Sequence, residues 1–175
     1  MTVDAGAHMF PAMHLLPVDR PGHLLISSGL ATMGFALPAA IAAALARPDG
    51  PVVCFTGDGG LGMALAELET LARLELAVIV IVFNDAALSL IAAKQQPDGQ
   101  GGTDAVTYRR TDFAPLARAC GLNAHRIDDA DTYRTALERA VEDRRPTLLD
   151  VLVDPSGYPR LLDTIRGQRN DTPES

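Results

Sequence analysis

Positive charge is in short supply in this chain of 175 residues. Fifteen Lys and Arg face 22 Asp and Glu, a net of −7. That balance disfavours nonspecific binding to nucleic acid or to an anionic membrane surface. Cysteine is nearly absent too: Cys54 and Cys120 are the two, and they have no metal-ligand spacing. Both are expected to be buried free thiols in a reducing compartment. No apolar run approaches the roughly 20 residues that cross a bilayer; the run AVIVIVF is extended only by Leu76 before it, to LAVIVIVF. The N-terminus lacks a basic stretch followed by an apolar one, so no secretory signal is expected and a cytoplasmic location is. Tryptophan is missing altogether and aromatics make up only 5%, an absence that matters again below.

What is present is a chain rich in Ala and Leu, long enough to bury one core without staples. Short β-type runs alternate with longer helical patterns. HLLI (23–26), PVVCF (51–55), AVIVIVF (77–83), NAHRI (123–127) and TLLDVLV (147–153) read as strands. The second, third and fifth are nearly continuous apolar runs, which suits parallel strands covered on both faces. Helices are expected at about 36–46, 61–75, 88–95, 113–120 and 131–143. In the second of them Leu61, Leu65, Leu68, Leu71 and Ala72 form one apolar face. Pro38 falls in a first helical turn, where a missing N–H does no harm. The alternation predicts an α/β domain built on a single open parallel sheet with helices on both faces. It spans 1–165, with a polar, frayed tail at 166–175. The segment QPDGQGGTD (96–104) reads as a surface loop or a mobile flap.

In such a sheet, ligands bind beyond the carboxyl ends of the strands. There the chain places Gly57-Asp58-Gly59-Gly60, after PVVCF and at the opening of a helix. Glycines let backbone approach a ligand, and a helix start offers free N–H groups to an anion. Asp58 in their midst would repel a phosphate unless a divalent cation lay between; Mg²⁺ takes one or two carboxylates plus phosphate oxygens. A turn with no ligand is the alternative. No Lys-Ser or Lys-Thr follows, which excludes a P-loop in its usual form. Asn84-Asp85 ends the neighbouring strand. Alone it would be a helix cap; beside Asp58 it is a candidate second metal ligand.

Gly-Asp-Gly, a helix with Glu67-Leu68, then a strand end with Asn resembles the thiamine-diphosphate motif of thiamine-dependent enzymes. The similarity extends through SGLATMGFALPAAIAAALARPDGPVVCFTGDG, TDFAPLARACG, RPTLLDVLVD and DAGAHMFPAMH to nearly all of residues 4–160. These stretches look like the diphosphate-binding, C-terminal domain of acetolactate-synthase-type enzymes. The resemblance implies thiamine diphosphate and Mg²⁺ as cofactors. It puts Asp58, the Asp85 side chain and the Ala87 carbonyl on the metal. Gly57, Gly59, Gly60 and Leu88 fall around the diphosphate, with Asn84 ordering the strand end. Ala31, Thr32 and Met33 fall around the aminopyrimidine. Met33 would support the cofactor in a bent shape that brings its 4′-amino group against the thiazolium C2–H; by residue type alone it could equally be a core filler. His8 falls where the family's approach segment carries a His, so it is a candidate active-site residue, whereas His14, His23 and His125 read as structural. Asp85 departs from the family's usual Asn.

The family also needs a glutamate at N1′ of the pyrimidine, supplied by a separate pyrimidine-binding domain, usually of another subunit. This chain has no Glu before Glu67. The expectation is therefore a half-enzyme, inactive alone, within a homo- or hetero-oligomer: a split subunit, mildly favoured by the initial Met, or an excised domain. Two positions narrow the chemistry on a 2-oxo acid. Ile91 stands where pyruvate-decarboxylase-like members carry a proton-transferring Glu, which favours carboligation. Lys94 stands where acetohydroxyacid synthases carry a Trp, which puts housekeeping acetolactate synthesis in doubt. The alternatives are a split decarboxylase of the sulfopyruvate or phosphonopyruvate type, and a non-catalytic cofactor-binding module.

Overall fold

The computed structural model describes residues 1–95 and 105–166; the expected loop at 96–104 and most of the expected tail lie outside them. Six parallel strands form one open sheet in the order β2-β1-β3-β4-β6-β5. In chain order the elements are β1 (Thr2–Val3), α1 (Met9–Leu15), β2 (Leu25–Ile26), α2 (Ala36–Ala46), β3 (Val52–Gly57), α3 (Asp58–Met63), α4 (Glu67–Arg73), β4 (Val78–Asn84), α5 (Ser89–Gln95), α6 (Phe113–Ala119), β5 (Asn123–Ile127), α7 (Ala130–Asp143) and β6 (Thr147–Leu152). A 3₁₀ turn (Pro155–Gly157) and α8 (Tyr158–Arg166) follow.

The central strand β4 shows why the apolar runs are continuous. Its side chains alternate between faces. Val78, Val80 and Val82 join Cys54, Leu37, Leu61, Leu68, Leu71 and Phe113 in one core layer. Ile79 and Ile81 join Ile127, Leu149 and the Ala136 and Ala140 face of α7 in the other. With both faces covered, alternation of polarity has no place in the sequence.

Several elements depart from the sequence-based expectation. The expected helix 61–75 is two helices, because the chain turns through Ala64–Ala66 with i→i+3 hydrogen bonds such as Glu67 N–H to Ala64 O (3.0 Å). Leu61, Leu68 and Leu71 are still all buried. The strand expected at 23–26 is only Leu25–Ile26, and His23 lies in the bend before it, bonded to Asp19 (2.8 Å). Strand β1 and helices α1 and α8 were not anticipated. Cys54 is buried, with its thiol pushed up to about 12 by desolvation. Cys120, at the solvent-facing end of α6, is exposed, contrary to expectation. No helix among the described residues is long and apolar enough to cross a membrane.

Candidate functional site

A cavity of ≈ 190 Å³ opens at the carboxyl ends of the strands. Its walls come from Ala5–His8 after β1, Ala31 and Met33 after β2, and Gly57–Gly60 at the β3–α3 junction. Phe83, Asp85 and Ala87–Ile91 at the end of β4, and Tyr158 after β6, complete it. Of the residues singled out in the sequence, His8, Ala31, Met33, Gly57, Asp58, Gly59, Gly60, Asp85, Ala87 and Leu88 line this cavity. Thr32 and Asn84 do not.

Asp58 is buried and held by three donors. Its Oδ1 accepts from Gly59 N–H (2.7 Å) and Tyr108 O–H (2.6 Å), and its Oδ2 accepts from Ala86 N–H (2.7 Å). The Gly59 N–H therefore turns to the neighbouring carboxylate. Asp85 accepts from Ala87 N–H (3.1 Å) and from Ser89 O–H (2.6 Å), so it shapes the turn into α5. Burial first, and the charge of Asp58 after it, raise the Asp85 carboxyl above its ordinary value, against the pull of Ser89 and Ala87. Burial and the bond to Asp58 push the Tyr108 phenol up as well. No ion pair among the described residues reaches either carboxylate.

Close approach explains the glycines. A Cβ on Gly59 would fall 2.7 Å from Leu88 Cδ2 and 3.1 Å from Met33 Cε, and one on Gly60 would collide with the Asp4 carboxylate. Gly57 and Gly6 leave room for the His8 ring, which stacks on Phe83 at 5.2 Å and 14°. His8 is 4% exposed, its Nε2 has no partner among the described residues, and desolvation lowers it to about 4. At neutral pH it is an uncharged ring facing the cavity. Ala31 (φ 47) and Ala86 (φ 62) adopt left-handed backbone at the site, a strain that functional turns often hold.

Asn84 is fully buried behind the cavity wall. Its amide donates to Thr111 O (2.8 Å) and Asp150 Oδ1 (2.8 Å), and Asp150 in turn accepts from Phe113 N–H (2.9 Å). This network ties the ends of β4 and β6 to the approach to α6. His14 is exposed and bonds Phe10 O (2.9 Å). Glu67 and Lys94 lie outside the cavity lining, whereas Ile91 is in it.

Sequence reading missed Asp4, Ser89 and Tyr108. Asp4, just after β1, accepts from Gly34 N–H (2.9 Å), Phe35 N–H (2.9 Å) and Thr56 O–H (3.1 Å). It thus caps α2 from 30 residues away. The i,i+4 spacing of Asp85 and Ser89 was a readable signal; nothing local announces Asp4 or Tyr108.

The oxygen donors fit the implied cofactors. Two unneutralised carboxylates face one cavity, and a glycine cradle beside them would be filled by any Cβ. No group of three or more His, Cys, Asp or Glu side chains fit for a metal occurs among the described residues. An ion here must therefore draw its remaining ligands from backbone, water or a bound anion, as Mg²⁺ on a diphosphate does.

An open parallel sheet with an acidic, glycine-lined site at its strand ends is a cofactor-binding α/β domain. More particularly, residues 4–151 match the family described as thiamine pyrophosphate enzyme, C-terminal TPP binding domain, and the chain belongs to that family. It is 37% identical over 155 residues to the acetolactate synthase isozyme 1 large subunit of Escherichia coli (strain K12), covering 88% of this chain and 28% of that protein. It is 35% identical over 157 residues to the probable acetolactate synthase large subunit of Methanococcus aeolicus, covering 89% and 26%. With the acetolactate synthase of Bacillus subtilis (strain 168) it shares 34% over 154 residues, covering 88% and 27%. The chain thus spans about a quarter of the length of these relatives.

Proposed function

We propose that the chain is the diphosphate-binding half of a thiamine-diphosphate- and Mg²⁺-dependent enzyme. It decarboxylates a 2-oxo acid and joins the product to a second acceptor, together with a pyrimidine-binding domain or subunit in a homo- or hetero-oligomer. One observation carries this reading: Asp58 and Asp85, from two adjacent strand ends, face the same glycine-lined cavity, and among the described residues no basic side chain pairs with either.

Asp58, Asp85 and the Ala87 carbonyl would hold the cation, and the backbone at Gly57, Gly59, Gly60 and Leu88 would lie against the diphosphate. Ala31 and Met33 would meet the pyrimidine side, with Met33 as the support under the bend, whereas Thr32, outside the cavity lining, bonds Ser27. When bound, thiamine diphosphate would supply a carbon nucleophile for the substrate's carbonyl and an acceptor for the electron pair left behind as CO₂ departs. The chain's own part is placement and exclusion of water. Met33, Leu88 and Ile91 present apolar surface to the cavity. His8, uncharged, offers a hydrogen bond at Nε2 and stays outside the cation count. Ile91 carries no proton to give, which favours capture by a second acceptor over release of an aldehyde.

The glutamate that activates the pyrimidine comes from outside this chain. Mixing the chain with a pyrimidine-binding partner, pyruvate and an aldehyde acceptor tests this. Thiamine-diphosphate-dependent ligation product is expected only in the mixture. Turnover by the chain alone contradicts the requirement for a partner, and free aldehyde as the sole product favours a split decarboxylase.

A further inference from the structure

We propose that the Tyr108 phenol competes with the cation for Asp58 and thereby sets the metal affinity of the site. The inference rests on the cofactor reading above and adds a residue which that reading does not require.

A carboxylate has about four lone-pair positions, and three on Asp58 are engaged by Gly59 N–H, Ala86 N–H and Tyr108 O–H. The first two donors are backbone groups, fixed by the start of α3 and by the turn after β4. The third is a side chain that is 40% exposed. Both positions on Oδ1 are taken, by Gly59 N–H and Tyr108 O–H, so a cation that binds Asp58 at Oδ1 displaces the phenol, because the Gly59 N–H cannot turn away without breaking the turn that carries it. Tyr108 is nevertheless kept at hand. Its N–H donates to Ala86 O (3.0 Å), Leu88 N–H donates to Val106 O (2.8 Å), and Ala87 pairs with Thr107 in an antiparallel bridge. The residue is thus strapped to the turn that bears Asp85 while its hydroxyl reaches Asp58 on the neighbouring strand end. It spans both ligand-bearing loops. The hydroxyl also lies 3.2 Å from where a Cβ on Gly59 would sit, so it borders the space that glycine leaves open.

Tyr108→Phe removes the hydroxyl and keeps the ring and the backbone bridge. Magnesium affinity is read by calorimetry on the full chain with its pyrimidine-binding partner, at saturating thiamine diphosphate. Tyr133→Phe, on α7, serves as the control. Loss of a charge-assisted competitor is expected to tighten Mg²⁺ binding by about tenfold in Tyr108→Phe, with Tyr133→Phe binding as the unaltered chain does. A merely structural tyrosine would leave the affinity equal or make it weaker. Equal or weaker affinity in Tyr108→Phe, with the unaltered chain binding normally, overturns the inference and leaves the cofactor reading standing. Absence of Mg²⁺-dependent cofactor binding in all three proteins removes both.

Discussion

Asp85 and His8 show how differently single residues declare themselves. Asp85 was legible as a strand-end acid and as a departure from an Asn pattern, and its geometry says what the change does. An asparagine could keep the bond from Ala87 N–H through its Oδ1 and donate to Ser89 in place of accepting. Asp85→Asn is expected to keep the fold and to strengthen thiamine diphosphate binding at saturating Mg²⁺, since it removes a charge that would face a bound diphosphate. A weaker affinity in titration would contradict this. His8 was legible only by resemblance. Its burial against Phe83 came from contacts that no spacing rule predicts, and it has a consequence for stability. The folded ring takes up a proton only near about 4, whereas the unfolded one does so near 6.5. The stabilising term is therefore fully present above 6.5 and is lost as the pH falls towards 4, by about 3 kcal/mol at 1.36 kcal/mol per unit. Urea denaturation of the unaltered chain and of His8→Gln from pH 7 to 4 checks it. The acid-side loss is expected to shrink by that amount in the variant.

At the scale of elements, periodicity carried most of the reading. The runs around β3, β4 and β6, and the helices α2, α6 and α7, were visible because each buries residues in a regular pattern. Strand β1 was invisible because a two-residue strand has no pattern. The break between α3 and α4 was hidden because Leu61, Leu68 and Leu71 keep helical spacing across it. Asp4 is the element-scale surprise: a carboxylate at the end of β1 does for α2 what a local cap would otherwise do. Phe35, at the helix's own N-cap position, offers no side-chain bond. Asp4→Asn would turn an amide donor towards backbone N–H groups and lose a charged acceptor. Stability is expected to fall by about 1.5–3 kcal/mol, read as a lower urea midpoint at unchanged slope. Gly60→Ala, whose methyl meets that same carboxylate, should be more damaging than Gly59→Ala, whose methyl meets the movable tips of Leu88 and Met33. Thermal melts of the two variants decide the order.

For the whole molecule, the sheet does the positioning. Parallel strands deliver all their carboxyl ends to one edge, and five of the six contribute a wall of the cavity. The cavity lining at Gly57–Gly60, Asp85, Ala87 and Leu88 was readable in advance because it sits in contiguous motifs at strand ends. The stacking of His8, the buried Asn84–Asp150 link and the Tyr108 bond join residues far apart in sequence, which only the folded chain brings together. The central claim is that this edge binds thiamine diphosphate through a cation on Asp58 and Asp85. Calorimetric titration of thiamine diphosphate into the full chain with its pyrimidine-binding partner, once with Mg²⁺ and once with EDTA, tests it most directly. Binding is predicted with Mg²⁺ and its loss with EDTA or in Asp58→Ala; equal binding under all three conditions, or none with Mg²⁺, contradicts the account.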